Sequence, residues 1–108
     1  MTFQEVFNTV TELMKDADVS TIEGKLAFQF NITGEEGGTF YAEVKDKQLS
    51  IEPYDYHDRD ALFIAKPEVF LAILSGKQDP VVAFTLGKLK IEGSLEKALL
   101  LKSIIKGK

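Results

Sequence analysis

His57 is the single histidine of the chain, and it stands among acids, with Asp55, Asp58 and Asp60 beside it in the stretch YDYHDRD at 54–60. An imidazole next to carboxylates can ligate a divalent metal or form an acid–base pair. Neighbouring loop residues rarely converge on one ion, however, and no second histidine completes a familiar ligand set. The stretch therefore reads as a solvated acidic loop, and no metal is assigned. Nucleophilic chemistry is no better supported. Ser20, Ser50, Ser75, Ser94 and Ser103 lie outside any nucleophile-elbow context, and one histidine would have to serve whichever of them reacted. Gly34 and Gly37–Gly38 fall between two strands, so they read as a hairpin turn and not as the strand-to-helix cradle that holds phosphate. Small cone-shaped isomerases and cyclases need an internal carboxylate or histidine with a perturbed pKa. Glu43, Glu52 and Asp60 alternate with apolar positions and so point outward. No catalytic residue and no cofactor follows from these patterns.

The chemistry the residues do suggest is apolar. Leu95, Ala98, Leu99, Leu100, Leu101, Ile104 and Ile105 wrap most of the circumference of a last helix over Leu95–Ile105. They leave a narrow polar strip of Glu96, Lys102, Ser103 and Lys106. A helix this apolar can cover a cavity, pack on another subunit, touch a membrane transiently, or lie deep in the core. Eight Phe residues and no Trp carry the same ambiguity, because pocket lining and solid core look alike in one dimension.

The elements that would position these side chains are well punctuated. Thr2 and Glu5 have capping-box spacing, and Phe3, Val6, Phe7, Val10, Leu13 and Met14 form one stripe at the helical period. From Lys25 the period becomes two. Leu26, Phe28, Phe30 and Ile32 share one strand face, Phe40, Ala42 and Val44 a second, and Leu49 and Ile51 a third. Asp46–Lys47 makes a tight connection and Pro53 stops the third strand, so the three read as an antiparallel meander. A fourth strand spans Ala61–Ala65. Pro67 opens a short helix carrying Val69, Phe70, Ile73 and Leu74, and Gly76 closes it. Asp79 caps the next helix, with Pro80 in its first position and Gly87 at its end. Lys88–Glu92 is a fifth strand with Leu89 and Ile91 on one face; Gly93 breaks it and Ser94 caps the last helix. The order α-β-β-β-β-α-α-β-α predicts one α+β domain over 1–108, with helices on one face of a mainly antiparallel sheet.

Composition sets the outer bounds. At 108 residues the chain can bury roughly two-thirds of its unfolded surface and needs no covalent staple. Cysteine is absent, which removes disulfides and thiolate sites and fits a reducing compartment. The net charge is −4 with Lys and acids interspersed, so a nucleic-acid partner is not expected. The start, MTFQEVFNTV, lacks the basic-then-apolar form of a secretory signal, and no run approaches the ~20 apolar residues that span a bilayer. A cytoplasmic location is expected.

The stretch Leu74–Gly93, LSGKQDPVVAFTLGKLKIEG, resembles the signature of the sterol carrier protein type-two (sterol-binding) domain. In that family a short helix ends in Gly-Lys, an Asp-Pro opens the next, and a Gly-Lys-Leu-Lys strand precedes a glycine and the last helix. Gly76–Lys77, Asp79–Pro80, Gly87–Lys88–Leu89–Lys90 and Gly93 match those features, and the order of elements extends the match over the whole chain. The resemblance implies a five-stranded sheet with helices on one face, enclosing an apolar tunnel for fatty acids, fatty acyl-CoA esters, phospholipids or sterols. It implies binding and transport without turnover. Peroxisomal members end in a targeting tripeptide closing on Leu; Lys106–Gly107–Lys108 differs from it, so no peroxisomal address is expected.

On this reading Phe28, Phe30, Phe40, Leu89 and Ile91 of the sheet surround an acyl chain together with Phe70, Leu74, Phe84, Leu99 and Ile105 of the helices, and the last helix acts as a lid. The competing reading is a non-enzymatic interaction module in which that helix buries its apolar surface in a homodimer. The partner is then a second copy instead of a lipid.

Overall fold

A computed structural model describes residues 2–35 and 37–104. Helix α1 (Phe3–Met14) starts where the capping box places it: the Thr2 hydroxyl accepts the Glu5 N–H, and the Glu5 carboxylate accepts the Thr2 N–H. Its apolar stripe buries Val6, Val10 and Met14. Five strands follow the period-two pattern: β1 (Lys25–Ile32), β2 (Gly38–Lys45), β3 (Gln48–Glu52), β4 (Ala61–Ala65) and β5 (Leu89–Gly93). Helix α2 (Pro67–Leu74) and helix α3 (Pro80–Thr85) lie between β4 and β5. Asp79 caps α3, accepting the N–H groups of Val81 at 2.7 Å and Val82 at 3.3 Å.

The strands form one open sheet in the order β3-β2-β1-β4-β5. The meander β1–β2–β3 is antiparallel, and β5 runs antiparallel to β4. β4 inserts beside β1 in parallel. The chain must therefore cross from one edge of the meander to the far side of β1, and segment 53–60 makes that crossing over the outer face of the sheet. The sheet is thus mixed.

Register puts Phe40, Phe30, Phe63 and Ile91 in one row across β2, β1, β4 and β5 on the inner face. The Phe30 ring stacks on Phe40 at 4.8 Å and on Phe63 at 5.2 Å, and meets Phe70 of α2 edge-on at 5.6 Å. Phe7 of α1 covers the Phe40 end of the row at 5.9 Å. These helices and inner-face residues make one continuous core.

The last helix departs from the single rod expected over Leu95–Ile105. It is divided into α4 (Leu95–Ala98), capped by Ser94, and α5 (Leu100–Ile104), with a turn at Leu99. The division splits its apolar surface in two. Ala98, Leu101 and Ile104 enter the core, while Leu95, Leu99 and Leu100 stay exposed. Gly93 makes the entry to α4 possible. It holds φ +93°, and a Cβ there would lie 2.7 Å from the Asp60 carbonyl oxygen that accepts the Ser94 N–H.

Candidate functional site

Beyond the Phe63 end of the aromatic row the packing changes. The helices over β5 are short, and α4 turns a small residue, Ala98, inward. The sheet and helices consequently leave a pocket of about 230 Å³. Phe63 of β4 and Ile91 of β5 form its floor, Pro80, Val81 and Phe84 of α3 one wall, and Leu95, Ala98, Leu99 and Lys102 the other. Its rim is exposed: Phe84 is 42% accessible, Leu95 52% and Leu99 57%.

Among the described residues Lys102 is the one charged side chain on this lining. Its Nζ lies 2.8 Å from Oδ2 of Asp79, joining α5 to the cap of α3. The ammonium of Lys102 first, then the backbone N–H groups of Val81 and Val82, hold the Asp79 carboxyl below its ordinary range. Lys97 of α4 pairs with Asp60 at 3.1 Å. The two short helices are therefore moored by two partly exposed ion pairs in addition to Ala98, Leu101 and Ile104.

The structure divides the ten side chains expected to surround a ligand. Phe84, Ile91 and Leu99 lie together on the pocket. Phe28, Phe30, Phe40, Phe70, Leu74 and Leu89 are buried in the core, closed off by one another and by α1 and α2. Ile105 lies outside the described residues. Phe63, Pro80, Val81, Leu95, Ala98 and Lys102 also line the pocket, although none is among those ten. For Phe63 the signal was available, since it alternates inward in β4 as Phe28 and Phe30 do in β1.

The acidic stretch at 54–60 is more ordered than a solvated loop. The Tyr56 ring packs edge-on against Tyr41 at 5.0 Å, its hydroxyl donates to Glu43, and the Lys25 ammonium lies over it at 5.0 Å. Gln29, the buried polar residue of β1, accepts the Tyr56 N–H and donates to Asn31, each at 2.9 Å. Asp60 turns its carboxylate onto the Ala27 N–H at 2.8 Å and onto Lys97. His57, Asp55 and Asp58 remain exposed. Among the described residues no three His, Asp or Glu side chains converge as a metal site would require. Glu43 and Glu52 lie on the outer face, away from the pocket.

An open mixed sheet with helices on its inner face, a closed aromatic core and an apolar pocket at one end define an α+β domain. The model of the SCP-2 sterol transfer family matches residues 3–106, and the chain belongs to that family. A hydroxysteroid dehydrogenase-like protein 2 from Rattus norvegicus is 32% identical over 103 residues, covering 94% of this chain and 19% of that protein. The human protein of the same name is 30% identical over 105 residues, again covering 94% of this chain and 24% of its own length. The chain thus spans about a fifth to a quarter of these curated relatives. Among solved structures, palmitated SCP2L2 from Aedes aegypti superposes with a TM-score of 0.68 at 22% identity, covering 98% of this chain and 96% of that one. At such identity the superposition speaks for the fold.

Proposed function

We propose that this chain binds the acyl or other long apolar part of a lipid in the pocket between α3, β5 and the α4–α5 pair, and carries it without chemical change. The observation that carries this reading is the pocket itself, an apolar hollow in a fold whose core is otherwise closed, with rim residues left facing water. Fatty acids, fatty acyl-CoA esters, phospholipids and sterols all offer the required apolar body. The family membership and a relative solved in a palmitated form support the same class of ligand. Apart from Lys102 the lining is apolar, which suits the body of a lipid.

The volume of about 230 Å³ is below the roughly 300–1,000 Å³ typical of drug-sized sites. A long chain is accommodated when α4–α5 swings outward at Leu99 or when the remainder of the chain lies along the rim. Each methylene buried contributes about 0.8 kcal/mol. Affinity should therefore rise about fifteenfold for every two carbons until the site is full. Native mass spectrometry of the protein as purified, with extraction of bound lipid, followed by titration with C8 to C18 fatty acids, tests this. Affinity that ignores chain length would reject the site.

The exposed Leu95, Leu99 and Leu100 also favour a second reading, in which a second copy covers the rim. Light scattering with and without lipid separates the two, because a dimer sealing the mouth should dissociate on loading, whereas a concentration-independent monomer excludes it.

A further inference from the structure

We propose that Lys102 and Asp79 form a headgroup clasp, in which an anionic headgroup of the bound amphiphile takes the Lys102 ammonium from Asp79. This rests on the pocket reading above and adds a headgroup specificity to it. Lys102 lines the pocket and its ammonium reaches out to Asp79, which lies beyond the lining, so an amphiphile inserted tail first would bring its polar end toward that ammonium. A cation there favours carboxylate, phosphate or sulfate over an uncharged end. What makes the exchange feasible is the second set of bonds on Asp79. When Lys102 leaves, the Asp79 carboxylate keeps the Val81 and Val82 N–H groups and still caps α3. No buried charge is stranded, since both side chains are already partly exposed while paired. Asp79 therefore serves as an internal stand-in for the headgroup. It holds the Lys102 ammonium when the pocket is empty, and it repels an arriving anion until Lys102 is shared.

The test compares amphiphiles with equal tails and different ends: palmitate, hexadecyl phosphate and hexadecanol, each titrated by fluorescence competition into the full chain. The unmodified protein should bind palmitate and the phosphate about three- to tenfold more tightly than the alcohol. In Lys102→Met, which keeps the apolar stem, the ratio of anion affinity to hexadecanol affinity should fall to about one, whatever the change in hexadecanol affinity itself. In Asp79→Asn, which retains a cap of similar quality, the preference should increase. Melting temperatures of the same samples check that each variant is folded. A larger gain for the phosphate than for palmitate would identify a phospholipid-like source of the headgroup, and the reverse a free fatty acid. Persistence of the anion preference in Lys102→Met, or loss of it in Asp79→Asn, overturns the clasp and leaves the pocket standing. Failure of the unmodified protein to bind any of the three amphiphiles overturns the pocket and the clasp together.

Discussion

Replacing Phe30 by Ala separates a closed core from an open tunnel. Phe30 is fully buried at the centre of the sheet, stacked on Phe40 and Phe63 and met edge-on by Phe70. Truncating such a ring removes its transfer free energy and leaves a cavity, at a cost of about 3–5 kcal/mol. A domain of this length has about 5–15 kcal/mol of stability to lose from. The variant should therefore forfeit a fifth or more of its stability and melt at least about 12 °C lower. Phe84→Ala is the control. Phe84 stands 42% exposed on the rim, so its truncation should cost clearly less than that of Phe30, under about 2 kcal/mol, while weakening lipid uptake. Urea and thermal denaturation followed by far-ultraviolet circular dichroism, with a fluorescent fatty acid titrated into both variants, give all the quantities. If Phe30→Ala cost less than about 1 kcal/mol and abolished lipid uptake, Phe30 would line a tunnel that lipid fills, and the division drawn here between core and pocket would be wrong.

Three further outcomes follow from particular contacts. Asp60→Ala removes the acceptor for Ala27 and the partner of Lys97, and should cost about 1–3 kcal/mol by urea denaturation, more than loss of an exposed ion pair alone would. Gly93→Ala places a Cβ against the Asp60 carbonyl at positive φ and should destabilise by about 1–3 kcal/mol, with the start of α4 losing amide protection first in hydrogen exchange. Acid should act through Asp79. Its carboxyl is held below the unfolded value of 3.8, so its contribution is complete above that pH and disappears as pH falls through the lower folded value. The urea midpoint of the unmodified protein should therefore drop more between pH 5 and pH 2.5 than that of Asp79→Asn; equal drops would show that the Lys102 contact contributes nothing.

What could be read in the sequence was what local physics decides. The Thr2–Glu5 box, the Asp79–Pro80 opening of α3 and the glycine stops at Gly76, Gly87 and Gly93 each act within a few residues, and each lies where the sequence puts it. The parallel insertion of β4 beside β1 was not legible, because it is fixed by which partner strand Ala61–Ala65 meets across the crossing at 53–60. The turn at Leu99 was hidden for a different reason. Ala98-Leu99-Leu100-Leu101 are all good helix formers, so propensity favours a continuous rod. Burial of Ala98, Leu101 and Ile104, and the reach of Lys102 to Asp79, override it. The alternation of Phe28, Phe30 and Phe40 identified the inner face without saying what meets it. Phe7 and Phe70 close that face near β1 and β2, whereas Ala98 leaves it open near β5. Side-chain size on the opposing helix decides between core and pocket, and that pairing is a tertiary fact.

The most direct test of the pocket is to fill it from within. Ala98→Phe directs a ring from α4 into the hollow over Phe63 and Ile91, where space exists to receive it, so the strain of overpacking a closed core should be largely avoided. Native mass spectrometry with a one-fold excess of palmitate should show a one-to-one lipid adduct on the unmodified protein and none on Ala98→Phe, with both proteins folded by circular dichroism. An equal adduct on the two would place the lipid elsewhere and contradict the account.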